Sequence, residues 1–195
     1  MAHRVREMMA WVVRAPISGE VVEFDEVYAG AKPRQKAGGG PTGVKSGRGP
    51  RRLVLTAVVR GGEARFRVIA SHGKDDIGPA ASAMVQAAGT FMTDTLPAYS
   101  MLGADRRSVK HSGKEFARTD PDGTSVHVNT AESRHADLRR MVLGVRHWIS
   151  QKHLDRYLED LAFRRSLRES DVLARLGAAL SSPGRLFYRN LVASS

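Results

Sequence analysis

Asp25, Asp94 and Glu132 sit in the contexts Asp25-Glu26-Val27-Tyr28-Ala29-Gly30, Thr93-Asp94-Thr95-Leu96-Pro97-Ala98-Tyr99 and Val128-Asn129-Thr130-Ala131-Glu132-Ser133. Each stands at the edge of a different predicted element. Carboxylates from separate elements can converge to hold a hard cation, which prefers oxygen ligands. On a strongly basic chain this points to metal-dependent phosphoryl transfer. In-line phosphoryl transfer of this kind commonly uses two divalent cations about 3.5 to 4 Å apart, one at the attacking oxygen and one at the leaving oxygen. Magnesium takes only a few carboxylates from a protein and keeps water and phosphate oxygens as its other ligands, so three acids suffice. Two further acids compete with Asp25. Glu23 shares its face by the period-two rule of a strand, and Glu26 is its neighbour.

The elements that must position these acids can be read from periodicity. Val5, Met8, Met9 and Val12 recur at helical spacing between Arg4 and Val13, and the stretch Val21 to Tyr28 is β-branched and aromatic, as a strand should be. Leu53 to Val59 is almost wholly apolar, the pattern of a strand covered on both faces. Gly61-Gly62 then supplies a tight turn, and Ala64, Phe66, Val68 and Ala70 alternate with Arg65 and Arg67 in a returning strand. Three antiparallel strands are therefore expected first. A helix is predicted over Ile77 to Ala88, a short strand over Thr90 to Thr93 ending at Asp94, and another over Ser108 to His111. Gly113 to Ser125 is polar, with a turn at Asp120-Pro121-Asp122-Gly123. Leu138, Met141, Val142, Val145 and Ile149 then form one helical stripe, and Leu154, Tyr157, Leu158, Leu161 and Ala162 a second, with Ser150 as its expected N-cap. Val172, Leu173, Leu176 and Leu180 make a third, stopped by Ser182-Pro183-Gly184.

Composition fixes the setting. The chain has 195 residues with 42% apolar content, enough for the core of one ordinary domain, and Lys plus Arg number 31 against 20 acids, a formal net charge of +11. Such an excess favours a polyanionic partner, nucleic acid first. The absence of cysteine excludes disulfides, thiolate zinc sites and a cysteine nucleophile, and it is compatible with a reducing cytoplasm. No apolar run approaches the roughly 20 residues that span a bilayer, and no signal-peptide core is present, so no membrane partner is expected. None of the seven histidines forms a His-x-x-x-His pair, and no Gly-Lys-Ser/Thr follows a glycine at Walker spacing, so neither a zinc hydrolase nor a nucleotide cofactor is expected.

Taken together, Val22-Glu23-Phe24-Asp25-Glu26-Val27-Tyr28-Ala29-Gly30, Thr93-Asp94 with Ala98-Tyr99, His111-Ser112 with Glu115-Phe116, His127 to Ser133, and Lys152-His153-Leu154-Asp155-Arg156-Tyr157-Leu158 with Phe163-Arg164 resemble the catalytic domains of bacterial insertion-sequence transposases of the ISXO type. These belong to the DDE superfamily. The resemblance runs from about Ala2 to about Arg165. It implies an α/β fold with a ribonuclease-H-like mixed sheet flanked by helices, followed by C-terminal helices. It also implies a catalytic domain over 19–165, with an N-terminal helix and linker remnant over 1–18 and a helical tail over 166–195. By the same resemblance Asp25, Asp94 and Glu132 are the metal ligands for two Mg2+ or Mn2+ ions. The residues after Glu132 depart from the family's aromatic-rich stretch, which leaves Asn129, His135 and Asp137 as alternatives for the third position. His111 matches a family position beside the site.

Double-stranded DNA, as transposon ends and target, is the implied partner, with a homodimer on DNA and a nucleoid-associated place in the bacterial cytoplasm. Relatives usually carry a cysteine-rich zinc ribbon and a helix-turn-helix ahead of this domain, so an end-recognition module is expected to be missing from this chain. A truncated, noncatalytic DNA-binding remnant is the competing expectation. The Gly-, Lys- and Arg-rich segment from Gly30 to Arg52 is expected to be a loop that lies along DNA, with Lys45, Arg48, Arg51 and Arg52 neutralising phosphates. Lys152 and Arg156 on the terminal helices are expected to join them.

Overall fold

Strand β1 (Ile17–Ala29) is central in a five-stranded mixed sheet of order β3-β2-β1-β4-β5. The computed structural model describes residues 2–30, 52–103, 105–110, 117–146 and 149–183. Nearly all of the basic segment, with Lys45, Arg48 and Arg51, lies outside the described residues, as does His111. β2 (Arg52–Val59) and β3 (Ala64–Ile69) form a hairpin around Gly61, whose φ of 72° is one that glycine adopts without steric cost. β1 pairs antiparallel with β2, and β2 with β3, whereas β4 (Val85–Asp94) runs parallel to β1 and β5 (Arg106–Val109) parallel to β4. A small separate ladder joins β6 (Ala117–Thr119) to β7 (Ser125–His127) across the expected Asp120 to Gly123 turn.

Both faces of the sheet are covered. On one, Val22 and Phe24 of β1 and Leu53, Leu55 and Ala57 of β2 pack on Ile77, Ala80, Ala81 and Met84 of α2 (Lys74–Met84) and on Tyr99. On the other, Val27 and Val54 pack on Leu138 of α3 (Asn129–Arg139) and on Leu154, Leu158 and Leu161 of α4 (Leu154–Ser166). Helix α1 (Ala2–Val12) lies against α4, anchored by the buried pair Arg6 Nε to Asp160 Oδ2 at 3.2 Å. The alternation along β1 therefore sends Glu23 and Asp25 toward α3 and Glu26 toward α2.

Several local readings change. The helix expected to run to Ala88 ends at Met84, because Val85, Ala87 and Ala88 pair with Ile17, Ser18 and Gly19 of β1. Ladder bonds to a central strand outweigh a helical periodicity worth tenths of a kcal/mol per residue. β4 is therefore a long strand rather than a short one. Ser150 is not a side-chain cap of α4; its carbonyl accepts the His153 N–H in a short 3-10 turn over Gln151–His153 that leads into the helix. The stripe on α5 (Val172–Leu180) is turned outward, with Val172, Leu173, Leu176 and Leu180 at 74, 78, 52 and 64% exposure and Ala179 buried near α1.

Candidate active site

Asp25 is the centre of the acidic cluster. Its strand is covered by β2 and α3, so the carboxylate is mostly buried, and its Oδ1 accepts the Glu26 N–H at 2.9 Å. Burial pushes its pKa from 3.8 up to about 7; the Glu26 N–H opposes this, and the charges of Glu26, Asp94 and Glu132 add to it. Asp94 ends β4, two residues beyond Met92, which pairs with Glu23 two residues before Asp25, so the parallel register carries the two aspartates to the same level. Asp94 Oδ1 accepts the Leu96 N–H at 2.8 Å, holding the carboxylate at the start of the turn that follows the strand. Glu132 is exposed in the first turn of α3, where a helix N-terminus favours negative charge.

His135, one turn beyond Glu132 and buried, reaches back to the same carboxylate, with its Nδ1 3.5 Å from Asp25 Oδ2. Burial first and the nearby Arg139 charge second depress its pKa to about 4, against a hydrogen bond to the Asp25 backbone, so the ring is neutral at pH 7. Its Nε2 has no hydrogen-bond partner, and neither does the fully buried hydroxyl of Thr56, which is paired directly with Asp25 across the β1–β2 ladder. Buried polar atoms normally find partners. Two orphans and a disfavoured carboxylate at one place fit a site completed by a bound group, and the all-oxygen donor set of Asp25, Asp94 and Glu132 suits a hard divalent cation. Among the described residues, no three His, Asp or Glu side chains already stand at ligating spacing.

The other candidates separate cleanly. Glu23 is fully buried and fully engaged with Arg60 and the start of α3, so it is not an available ligand. Glu26 faces the opposite side of the sheet, where the Tyr99 hydroxyl donates to its Oε1 and His72 Nδ1 lies 3.7 Å from Oε2. Burial raises its pKa, the Tyr99 bond lowers it, and Asp94 raises it. Asp137 is buried in ion pairs with Arg134, Arg140 and Arg165, a structural role that leaves it poorly placed as a third ligand. Asn129 is exposed at the first position of α3, its N–H donated to His127 Nδ1 at 3.3 Å.

Of the described cations expected at DNA, Arg52 and Lys152 are exposed, whereas Arg156 lies inward, with Nη1 3.3 Å from His153 Nδ1 and Nε 3.9 Å from Glu7 Oε2. Sequence reasoning missed Thr56 and Arg60, and it read Tyr99 as part of a family motif without its contact to Glu26. Only the cross-strand register exposes the first, and only tertiary packing the other two. His135 was legible as an alternative third position through the family resemblance.

A mixed α/β domain with Asp25 within its central strand and Asp94 at the end of the parallel neighbour defines a class of protein, and comparison supplies the family. The chain matches the ISXO2-like transposase domain over residues 16–166 and belongs to that family. No curated protein and no solved structure matches it. No described helix is long and apolar enough to cross a membrane.

Proposed function

We propose that this transposase domain cuts and rejoins double-stranded DNA, with Asp25, Asp94 and Glu132 as the ligands of two Mg2+ or Mn2+ ions. The observation that carries the reading is the parallel β1–β4 register, which brings Asp94 level with the mostly buried Asp25, with α3 packed beside them through His135 and carrying Glu132 in its first turn. Like charges gathered at such a place destabilise one another unless a cation compensates them. When bound, the ion pair would stabilise charge on the attacking and leaving oxygens of the phosphodiester. Asp25 anchors the site from the rigid central strand, Asp94 is oriented by the Leu96 N–H, and exposed Glu132 is the member free to swing inward. Neutral His135 packs beside Asp25 and keeps its carboxylate oriented without adding positive charge.

The sheet order, with antiparallel β1 to β3 and parallel β4 and β5, supports the ribonuclease-H-like reading of this domain. The same reading takes 19–165 as the catalytic unit, 1–18 and 166–195 as flanking segments, transposon ends and target as substrates, a homodimer on DNA as the working form, and the bacterial cytoplasm and nucleoid as the setting. The net charge of +11 supports the polyanionic substrate. A noncatalytic DNA-binding remnant is the second reading, favoured by the exposed Glu132 and the lack of preformed ligating spacing among the described residues. The deciding experiment is duplex DNA nicking with Mn2+ by wild-type protein and by Asp94→Asn. Metal-dependent nicking lost in a folded D94N protein supports the catalytic reading; no nicking and no Mn2+ binding by folded wild-type protein leaves the remnant.

A further inference from the structure

We propose that Glu23, gripped by Arg60, is a positioning residue that fixes the N-terminus of α3 and so places Glu132 and His135 against Asp25. This deepens the metal-site reading above and rests on it. Glu23 is 0% exposed, an unusual place for a carboxylate, and four donors converge on it. Its Oε2 accepts the N–H groups of Thr130 and Ala131 at 2.8 and 3.0 Å. Its Oε1 accepts the Thr130 hydroxyl at 2.9 Å and Arg60 Nε at 2.6 Å. The remaining arms of the guanidinium donate to the carbonyls of Ser125 at 2.8 Å and His127 at 3.0 Å. One ion pair thus binds β1, the β2–β3 hairpin, β7 and α3 together.

Helix α3 has little local capping, His127 Nδ1 taking only the Asn129 N–H. Its N-cap position is Val128, which offers no side-chain acceptor. The first N–H groups of a helix need acceptors, and negative charge is favoured there. A local Ser, Thr, Asp or Asn ordinarily supplies one; here the acceptor comes from a strand more than a hundred positions earlier in the chain. Glu132 directly follows Ala131, the last residue held by Glu23, and His135 lies one turn on. Any shift of that first turn moves both relative to Asp25, which sits two residues from Glu23 on the same face of β1. His127 Nδ1, 3.4 Å from Glu23 Oε1, already accepts the Asn129 N–H and so does not donate to the carboxylate through that nitrogen. Arg60 is the counter-charge that makes the buried carboxylate tenable.

The test is Mn2+ titration by calorimetry, at a temperature where circular dichroism shows each variant folded. Replacing a group that orients metal ligands typically weakens metal binding about 10- to 100-fold. Glu23→Gln swaps one acceptor oxygen for an NH2 that faces donors, and its Mn2+ affinity should fall at least about tenfold. Arg60→Lys keeps a charge beside Glu23 but cannot span the Ser125 and His127 carbonyls, and should show a smaller loss. Ile77→Ala, a destabilising change in the core on the opposite face, should bind Mn2+ like wild-type, which separates positioning from general loss of stability. Wild-type affinity in folded E23Q and R60K overturns the inference and leaves the metal site standing. If E23Q does not fold, R60K alone decides. If wild-type protein binds no Mn2+, the metal-site reading falls and takes this inference with it.

Discussion

Asp25→Asn should make the metal-free domain more stable at alkaline pH while destroying its site. The Asp25 carboxyl titrates at about 7 in the folded chain against 3.8 for an ordinary aspartate, because burial strips water from its charge and Glu26, Asp94 and Glu132 repel it. A carboxyl with a raised folded pKa holds its proton more tightly when folded. Its ionisation therefore costs no stability below 3.8, costs progressively more as pH rises toward 7, and levels off above that. Three pH units at 1.36 kcal/mol each amount to about 4 kcal/mol at pH 8, of which about 2 kcal/mol is already lost at pH 5. Asparagine keeps an acceptor for the Glu26 N–H and cannot ionise. In urea denaturation with EDTA, D25N should exceed wild-type stability by about 2 to 4 kcal/mol at pH 8, and by about 2 kcal/mol less at pH 5. Mn2+ at a hundred times its Kd should add about 2.7 kcal/mol to wild-type protein and nothing to D25N. A D25N protein no more stable than wild-type at pH 8, or a gap unchanged at pH 5, refutes the claim that this carboxylate is buried among like charges.

Two more outcomes test the surroundings of the site. Leu158, 1% exposed in the core shared with Leu138 of α3, should cost about 2 to 5 kcal/mol as Leu158→Ala, read by thermal or urea unfolding; a cost under about 1 kcal/mol contradicts the packing of α4 behind the site. Combined Arg48→Ala, Arg51→Ala and Arg52→Ala changes should reduce the slope of log affinity for duplex DNA against log salt by about 3, near 0.9 per lost phosphate contact. An unchanged slope removes these arginines from the DNA interface.

Periodicity and turn chemistry made the β2–β3 hairpin legible, because an apolar run, Gly61-Gly62 and an alternating return strand are local signals. Asp94 at the end of β4 and Glu132 in the first turn of α3 stand near element edges as expected, whereas Asp25 lies inside β1, and the family resemblance these acids carried agrees with the matched domain. Helix and strand were confused at Val85, where short apolar stretches fit either period and pairing with β1 decided the matter. The α5 stripe had the spacing of a core face, yet most of it is exposed, since periodicity records only that apolar residues share a side and not that another element covers it.

The sequence by itself determined most of the element types and the excess of positive charge, and it supplied the candidate acids, all of which are local or additive properties. Tertiary structure alone decided which neighbouring acid does what. Glu23 and Asp25 share a face of the same strand, but Glu23 meets the N-terminus of α3 and Arg60, while Asp25 stands level with Asp94 and beside His135. A carboxylate's role follows from the charges, donors and water around it, and those come from residues distant in the chain.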